Sequence, residues 1–485
     1  MFKSKFLKLV GAITLINIAA RFLGFYREVI IGFQYGTSYQ ADSIITAFTI
    51  PNFIYLVFGG AVTTAFISVY TKLEGETRQR FIQSLFTRMT LIIGAITVVF
   101  MVFPAFWIKL FFSGMDEQSL ELTSKLFAWT APATFFLVLS VVLSGLHNIY
   151  ENYRLSTFSG FLFNLVYLVI GVGLTPLVME YSYALGATLG AGVMVLFLMH
   201  YTYHQKLMSL KPAFHKMPEA GRFLKLVVPL IFGGASIQFY FIIQRIYAAG
   251  LDGGAIASLN YASKMTQFPQ AVLMASVTTI IYPMLAKAAG EGDMGKLEYA
   301  YKKGFKMLTL ILLPVSVFLI FYAKDIISFI YQYGNFSADS TNATYPLLQL
   351  FSLTVLALAL NTYVTRFFYA LENTILPIIL SIITIFGINI LIIKLFIGDL
   401  GAEAIAWGTI VSAIINTLLL ILFAKLKLGL AASSWGFVVK LVLFTVIAVA
   451  VQWSVSLIPV GTFLALVIGG VVTGTILFGG LKFVK

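Results

Sequence analysis

Charged residues interrupt a hydrophobic stretch near the amino terminus, AARFLGFYREVIIGFQYG at residues 19–36. Arg21 and Glu28 are seven residues apart and would share one face of a helix, whereas Arg27 would point about 120° away unless the helix bends. Gly24 lies where such a bend would be tolerated, and we predict a hinge there. An arginine at the centre of a membrane helix costs roughly 2.5–3.5 kcal/mol, so it normally faces a bundle interior or an aqueous cavity. These residues therefore predict a polar site inside a membrane protein.

Basic residues outnumber acids within the hydrophobic stretches of the chain. Four of these basic residues are assigned to neither side of the membrane and are placed within the spans: Arg21, Arg27, Arg245 and Lys264. The acids Glu28 and Asp42 are expected to pair with these cations and to form an outer gate when no ligand is present. A net-positive cavity suits an anion, and arginine suits phosphate because its planar fork donates two parallel hydrogen bonds. For Arg245, near the end of its stretch, extension to the membrane interface is the alternative.

The composition of the whole chain is that of an integral membrane protein. The 485 residues are 60% hydrophobic and 11% charged, with a mean hydropathy of +0.95, whereas soluble domains carry about a quarter charged residues. The basic start, MFKSKFLKLV, is predicted to be the uncleaved beginning of the first helix. The sequence predicts an all-α polytopic protein with fourteen spans: 8–35, 41–70, 80–110, 120–148, 155–177, 181–205, 222–250, 254–286, 300–323, 340–370, 375–397, 401–425, 433–457 and 460–481.

The charges between these spans predict the topology. Most of the 32 Lys and Arg lie in the terminal and even-numbered breaks, whereas the odd-numbered breaks are acidic or neutral. Cytoplasmic loops retain Lys and Arg, so both termini are predicted to be cytoplasmic. Retention on the anionic cytoplasmic leaflet accounts for most of the net charge of +13, and nucleic acid is therefore not an expected partner.

The chain repeats itself weakly, with an offset of about 217 residues. The sequence FLKLV occurs at 6–10 and 223–227, and VTT occurs at 62–64 and 277–279. Further matched pairs are Arg27 with Arg245, Pro51 with Pro269, and Glu151-Asn152 with Glu372-Asn373. Proline permits the kinks that rocking lobes need, so Pro51 and Pro269 are predicted hinges. The repeat predicts two pseudo-symmetric six-helix lobes and an extra helix pair: 1–215, 216–428 and 429–485.

The polar residues outside the spans fit neither an enzyme nor a metal site. A polyprenyl-dependent glycosyltransferase would need acidic bases in a sizeable outer loop, and the acids of MDEQSLE have no histidine beside them. His147, His200, His204 and His215 fit no metal spacing, and each is expected to be solvated near the cytoplasmic surface. The chain contains no cysteine and no glycine-rich phosphate loop, so we predict no metal or cofactor. A cation-exporting drug pump would need carboxylates in its cavity, which is the opposite of the observed charge.

The first two helices resemble those of a known family. RFLGFYREVIIGFQYGTSYQADSIITAFTIPN is similar to the N-terminal signature of the MurJ-type lipid II flippases, of the multidrug and oligosaccharidyl-lipid exporter superfamily. NYASKMTQFPQAVL and YQYGNFSADS agree further along the chain, and the family also has fourteen helices. The resemblance implies export of the undecaprenyl-diphosphate-linked peptidoglycan precursor from the inner to the outer leaflet by alternating access. It also implies the bacterial plasma membrane as the location and other cell-wall synthesis proteins as partners.

The resemblance also implies roles for individual residues. By motif position, Arg21 and Arg27 would contact the diphosphate, and Asp42 would be the aspartate of the second helix. Lys264 replaces an arginine that the family usually carries in its eighth helix, which keeps the charge but loses the bidentate fork. Tyr55 stands where the family has the first of two arginines. We include Lys264 and Tyr55 among the expected substrate-binding residues.

Arg245, at a depth equivalent to that of Arg27, would change the spacing of the cations as the lobes rock.

The driving ion and the substrate are left open by the sequence. Sodium-coupled members of the family carry a carboxylate in helix 7, but residues 223–250 contain no Asp or Glu, so the sequence assigns no driving ion. Related exporters move other polyprenyl-linked glycans, and teichoic acid, capsule or exopolysaccharide units are the alternative substrates.

Overall fold

The computed structural model describes residues 2–216, 218–234, 236–431 and 435–483. Regular structure in this part of the chain is helical throughout. The first eleven helices are α1 (Phe2–Tyr35), α2 (Tyr39–Ala47), α3 (Thr49–Tyr70), α4 (Gly75–Val102), α5 (Pro104–Phe111), α6 (Glu117–Ile149), α7 (Tyr153–Gly173), α8 (Thr175–Val178), α9 (Tyr181–His204), α10 (Ala220–Gly234) and α11 (Ser236–Ala248). The others are α12 (Ala255–Glu291), α13 (Met294–Phe321), α14 (Ala323–Tyr331), α15 (Ala338–Ser352), α16 (Thr354–Ala370), α17 (Ile375–Ile382), α18 (Ile390–Leu400), α19 (Ala402–Leu428), α20 (Trp435–Ser456) and α21 (Thr462–Phe483), with a π-helical segment (Ile383–Asn389) between α17 and α18.

Many of these helices are long and apolar enough to cross a membrane. Within the described residues ten segments meet that condition: Tyr39–Tyr70, Gly75–Val102, Glu117–Ile149, Tyr153–Gly173, Tyr181–His204, Met294–Phe321, Ile375–Leu400, Ala402–Leu428, Gly436–Ser456 and Thr462–Gly480. An eleventh is the pair α15 and α16, which is bent by 41°. The three other predicted spans, 8–35, 222–250 and 254–286, fall on α1, on α10 with α11, and on α12. The all-α polytopic class is confirmed, and the count of fourteen spans stays a prediction.

The second predicted span is divided into two helices. Helix α2 ends at Ala47 and α3 begins at Thr49, with Phe48 between them. Pro51 lies in the first turn of α3, where its missing N–H removes no helical hydrogen bond, and in a continuous helix its ring would clash with the carbonyl of Ala47. Pro51 therefore accompanies a helix break. Its sequence counterpart, Pro269, lies inside the long helix α12.

Two turns in opposite halves of the sequence adopt the same uncommon conformation. Glu151 and Glu372 have φ angles of 59° and 60°, in the left-handed region that residues with a side chain rarely occupy. In each turn the next residue, Asn152 or Asn373, donates its backbone N–H to the carbonyl five residues earlier, at 2.8 Å and 2.9 Å respectively. This bond closes a helix end as in a Schellman motif. The two Glu-Asn pairs that match in sequence thus share a backbone conformation.

The chain forms two compact units. The first comprises Met1–Ile31 and Ser38–Ile256, and the second comprises Gly32–Thr37 and Ala257–Lys485. In the first unit α6 is central, and its apolar side chains from Phe127 to Leu146 are largely buried. In the second unit α13 packs against α20 in an apolar cluster. The two units are defined by contacts in space, whereas the predicted lobes are defined by a repeat in the sequence. The boundaries of the lobes therefore stay a prediction.

Two copies of one tripeptide meet in the second unit. The sequence QYG occurs at 34–36, at the end of α1, and at 332–334, after α14, and we call these segments the QYG pair. Gly36 and Gly334 both have a positive φ. A Cβ atom on either glycine would collide with a backbone carbonyl oxygen beside the other copy. Glycine is therefore required at both positions by conformation and by space.

Hydrogen bonds fasten the end of α1 to this loop. Asn335 donates its backbone N–H to the Phe33 carbonyl at 2.8 Å and its side-chain Nδ2 to the Gln34 carbonyl at 2.5 Å. Tyr261, on α12, donates its hydroxyl to the Gly36 carbonyl at 3.1 Å. The last carbonyls of a helix have no partner within the helix, so these three bonds satisfy groups that would otherwise need water.

Candidate functional site

Arg27 and Glu28 form a buried ion pair on α1. The distance from Arg27 Nη2 to Glu28 Oε1 is 2.8 Å, and the two side chains are 11% and 7% exposed. Adjacent residues on a helix point about 100° apart, so the length of the arginine side chain is what lets it reach the carboxylate. Helix α1 continues through Gly24 without a break in its helical structure, and a hinge at this glycine stays a prediction. A Cβ at Gly24 would lie 3.1 Å from Asn164 Oδ1, so this glycine allows close packing against α7.

Two aromatic rings flank the guanidinium of Arg27. Its Cζ lies 4.2 Å from the ring centroid of Tyr167, on α7, and 5.8 Å from that of Phe48, at the break between α2 and α3. The two rings meet edge to face, with centroids 5.4 Å apart. The face of an aromatic ring attracts a cation by up to about 2 kcal/mol where water is excluded. The charge of Arg27 is therefore held by one carboxylate and two rings.

A second arginine reaches this region from α11. Arg245 donates from Nη1 to the hydroxyl of Thr49 at 2.8 Å. Thr49 donates its own hydroxyl proton to the Ile45 carbonyl at 2.9 Å, which leaves its lone pairs free to accept from Arg245. Arg245 is also attracted by Glu28 and repelled by Arg27. The helix break at Phe48 places Thr49 where it can accept this bond.

These five residues, Arg27, Glu28, Thr49, Tyr167 and Arg245, form what we call the arginine cluster. It contains two cations and one carboxylate, and all five residues belong to the first unit. The Nε–H of Arg27 is buried and has no acceptor among the residues that the structure describes. An unsatisfied buried donor costs about 1–3 kcal/mol, and an anionic oxygen would satisfy it. The cluster is therefore suited to an anion with several oxygens, such as a phosphate or a diphosphate.

The other predicted ligand residues have different environments. Arg21 is exposed on α1, six residues before Arg27. Tyr55 is half-buried on α3. Lys264 is half-buried on α12 and belongs to the second unit. That these residues line one cavity with Arg27 stays a prediction.

Asp42 accepts a hydrogen bond at the start of α12. Its buried carboxylate on α2 receives the backbone N–H of Gly254 on Oδ2 at 2.7 Å, one residue before α12 begins. The amides at a helix N-terminus carry partial positive charge and favour an acid. Of the two predicted gate acids, Glu28 is thus paired with a side-chain cation and Asp42 with a helix terminus. Their role as a gate stays a prediction.

Sequence reasoning missed the neutral residues that contact the two arginines. Phe48 and Thr49 lie just before Pro51, so the proline signalled the helix break that positions them, although not their contacts. Tyr167 lies in an ordinary hydrophobic run, LVYLVIGVG, in which nothing indicates a cation partner. Neutral residues that contact charged ones become visible only when the helices are packed.

The expectation that every histidine is solvated is wrong for His147. This residue is fully buried on α6. Its Nε2 lies 3.1 Å from the Thr202 hydroxyl and 3.3 Å from the Leu198 carbonyl, both on α9. His147 therefore joins two helices of the first unit, because buried polar atoms require hydrogen-bond partners. His200 and His204 are exposed as expected.

Known proteins resemble this chain over most of its length. The family model described as lipid II flippase MurJ matches residues 34–469. The lipid II flippase MurJ of Burkholderia cenocepacia is 26% identical, over 84% of this chain and 81% of its own. That of Thermosipho africanus is 26% identical, over 84% of this chain and 83% of its own.

Solved structures show the same fold. A structure described as lipid II flippase MurJ in an inward closed conformation has a TM-score of 0.84 and 24% identity, covering 96% of this chain and 98% of that chain. An inward-facing multidrug resistance transporter of the MATE family, in the MOP superfamily, has a TM-score of 0.70 and 15% identity, covering 86% of this chain and 94% of that one.

Proposed function

Because the chain belongs to the lipid II flippase MurJ family, we propose that it moves lipid II from the inner to the outer leaflet of the membrane by alternating access. It is a multi-pass bacterial membrane protein and a transporter, not an enzyme. Lipid II is a polyprenyl diphosphate that carries the peptidoglycan precursor, so its charged centre is the diphosphate. The observation that carries the binding step is the arginine cluster, which has an excess cation and an unused buried donor.

The diphosphate would bind between Arg27 and Arg245. Glu28 balances the charge of Arg27, and the Nε–H of Arg27 has no acceptor within the described residues. Diphosphate oxygens would accept from this N–H and from the guanidinium of Arg245. Arg21 lies six residues before Arg27, about 9 Å along the helix, so in the predicted topology it would meet the substrate from the cytoplasmic side. Lys264 and Tyr55 would complete the site.

We infer a fourteen-span architecture with cytoplasmic termini, built from two six-helix lobes and a C-terminal helix pair. The shared conformation of the turns at Glu151 and Glu372 supports the repeat. Glu28 and Asp42 would form the outer gate, and Gly24, Pro51 and Pro269 would act as hinges. The helix break beside Pro51 supports that hinge most directly.

Transport requires that the ligand be held differently in the inward and outward states, because equal affinity for both shifts no equilibrium. Glu28 provides one difference, because it can either neutralise Arg27 or leave it to the substrate. Partners would include the bilayer itself and other proteins of cell-wall synthesis that supply or consume the lipid-linked precursor. No driving ion is assigned.

The test is a leaflet-accessibility assay for lipid II in cells that depend on this chain for export. We expect Arg21→Ala, Arg27→Ala and Lys264→Ala each to lower outer-leaflet lipid II at least about tenfold, which corresponds to about 1.4 kcal/mol. Arg80→Ala, which removes an exposed arginine of α4, is the matched control and should leave export unchanged. Wild-type export in all three cavity variants would contradict the proposed site.

A second measurement tests the substrate. Depletion of the chain should make lipid II accumulate on the inner side of the membrane, and mass spectrometry of the extracted lipids identifies it. Accumulation of a different polyprenyl-linked glycan, such as a teichoic acid, capsule or exopolysaccharide unit, would support the alternative substrate instead.

A further inference from the structure

A surface cavity of about 600 Å³ opens beside the first turns of α6, in the first unit. One stripe of α6 forms its wall, with four side chains spaced four residues apart, so that each is rotated only about 40° from the one before: Glu117, Glu121, Lys125 and Trp129. Pro104 and Ala105, at the beginning of α5, and Tyr181, at the beginning of α9, line the cavity from the other sides. None of these residues belongs to the arginine cluster.

The cavity opens among large hydrophobic side chains that are more than half exposed. Phe103 and Phe106 flank Pro104 and Ala105 in the sequence, and Trp129 lines the cavity itself. In a multi-pass membrane protein, hydrophobic side chains exposed on this scale face lipid rather than water. The occupant of the cavity is therefore expected to come from the bilayer.

The side chains on α6 follow a fixed order from water towards hydrocarbon. Helix α6 begins at Glu117, after the polar segment SGMD, so this end of the stripe is the end on the side of water. At a rise of 1.5 Å per residue the four positions follow at intervals of about 6 Å. Two carboxylates come first, then the ammonium of Lys125, and then the indole of Trp129, about 18 Å from the start. Trp129 is thus the position farthest from the polar end, and tryptophan is enriched where headgroups meet acyl chains.

A phospholipid with a primary amine has the complementary order of groups. Its ammonium is outermost, its phosphate lies beneath, and its glycerol and acyl chains follow. We propose that the cavity is a binding site for an aminophospholipid of the phosphatidylethanolamine class. The lipid ammonium contacts Glu117 and Glu121, its phosphate contacts Lys125, and its glycerol and first acyl carbons pack against Trp129 and Pro104.

The ion pair on this stripe can exchange its partners for those of a lipid headgroup. Lys125 Nζ lies 2.5 Å from Glu121 Oε1, and both side chains are more than half exposed. An exposed ion pair of this kind contributes little to stability, so opening it costs little. A zwitterionic lipid replaces this one pair with two, since its ammonium meets Glu121 and its phosphate meets Lys125.

The same geometry discriminates between lipids. Phosphatidylglycerol has no cation, so its headgroup would leave Glu117 and Glu121 without a partner. Phosphatidylcholine has a cation, but its methylated amine has no N–H to donate to carboxylates. Selectivity for a primary amine is therefore the property that separates this site from unspecific lipid contact.

The experiment uses the full chain, stripped of lipid in detergent and mixed with equal amounts of the three phospholipids with identical acyl chains. Native mass spectrometry then counts the lipids retained. We expect phosphatidylethanolamine to be retained at least about fivefold more than either of the others. The double variant Glu121→Lys with Lys125→Glu keeps the ion pair and the net charge but reverses the order of charges, and it should abolish this preference.

Two further variants make the result decisive. Glu76→Lys with Arg80→Glu reverses another exposed pair with the same i,i+4 spacing, on α4, and should keep the preference. Glu117→Gln leaves the ion pair untouched and should lower retention of phosphatidylethanolamine without lowering that of phosphatidylglycerol. Equal retention of the three lipids by the wild type, or an unchanged preference after the reversal on α6, would overturn the proposal.

Discussion

Two ion pairs of the first unit are similar in length and opposite in environment. Arg27 Nη2 lies 2.8 Å from Glu28 Oε1, with side chains 11% and 7% exposed. Lys125 Nζ lies 2.5 Å from Glu121 Oε1, with side chains 55% and 66% exposed. The shorter pair can be hydrated, so losing one partner leaves the other in water, whereas losing one partner of the longer pair leaves a charge buried. The exposure of an ion pair to water, rather than its length, therefore decides how much the loss of one partner destabilises the fold.

The largest expected effect follows removal of the buried cation. Arg27→Ala removes the cation of the buried pair that Arg27 forms with Glu28, and breaking a buried pair in this way costs about 3–5 kcal/mol. We expect a marked fall in the thermal unfolding temperature of the purified protein, together with loss of lipid II export.

The double variant Arg27→Ala with Glu28→Ala separates stability from function. Removing both charges also removes the uncompensated carboxylate, so thermal stability should largely recover while export stays lost. Recovery of export in the double variant would show that the buried pair is structural and does not bind substrate.

The second largest effect concerns the hydroxyl that accepts from Arg245. Thr49→Val keeps the shape of the side chain and removes the acceptor, and a hydrogen bond to a charged group contributes about 1.5–3 kcal/mol. We expect export to fall about tenfold, measured as outer-leaflet lipid II. Thr64→Val, on the same helix, removes a hydroxyl that donates only to the Gly60 carbonyl and should have no effect. Equal effects of the two variants would mean that the bond to Arg245 is unimportant.

A smaller effect is expected at the aromatic ring over Arg27. Tyr167→Leu removes the ring face 4.2 Å from the guanidinium, which contributes about 0.5–2 kcal/mol. Tyr167→Phe keeps the face and should match the wild type in thermal unfolding and in export. If Tyr167→Phe were as damaging as Tyr167→Leu, the hydroxyl rather than the ring would be the functional group.

The smallest effect is expected at the exposed pair. Glu121→Gln leaves Lys125 in contact with water, so thermal unfolding should not change within experimental error. Lipid retention in the assay described above should change, because that measurement depends on the order of charges. A stability loss as large as that of Arg27→Ala would contradict the conclusion that the exposed pair contributes little to stability.

The sequence predicted the charged part of the site because charge is conspicuous in hydrophobic surroundings. Arg27, Glu28 and Arg245 were singled out by the cost of placing them in lipid, and the structure brings them into one cluster. The helical class followed in the same way from repeated hydrophobic runs. These predictions rest on single residues and local composition, which the sequence displays directly.

The contacts of the neutral residues in the site could not be predicted, because they depend on packing between segments that are distant in the sequence. Thr49 and Tyr167 are ordinary residues in hydrophobic helices, and only the meeting of α3, α7 and α11 with α1 gives them a partner. His147 illustrates the same limit, because its position near the end of a span suggested solvation although α9 covers it completely. The break at Phe48 is intermediate, since Pro51 marks the region but does not specify where the helix ends.

The QYG pair has a consequence for how the protein is synthesised. The carbonyl of Gln34 bonds to Asn335, which is 301 residues later in the chain. At about 5–20 residues per second, a ribosome needs about 15–60 s to make that intervening length. During this interval the carbonyls of Phe33 and Gln34 lack the two hydrogen bonds that Asn335 donates to them. Helix α1 is therefore made long before its end acquires these contacts, and errors in the loop at 332–337 would appear as defects in the anchoring of α1.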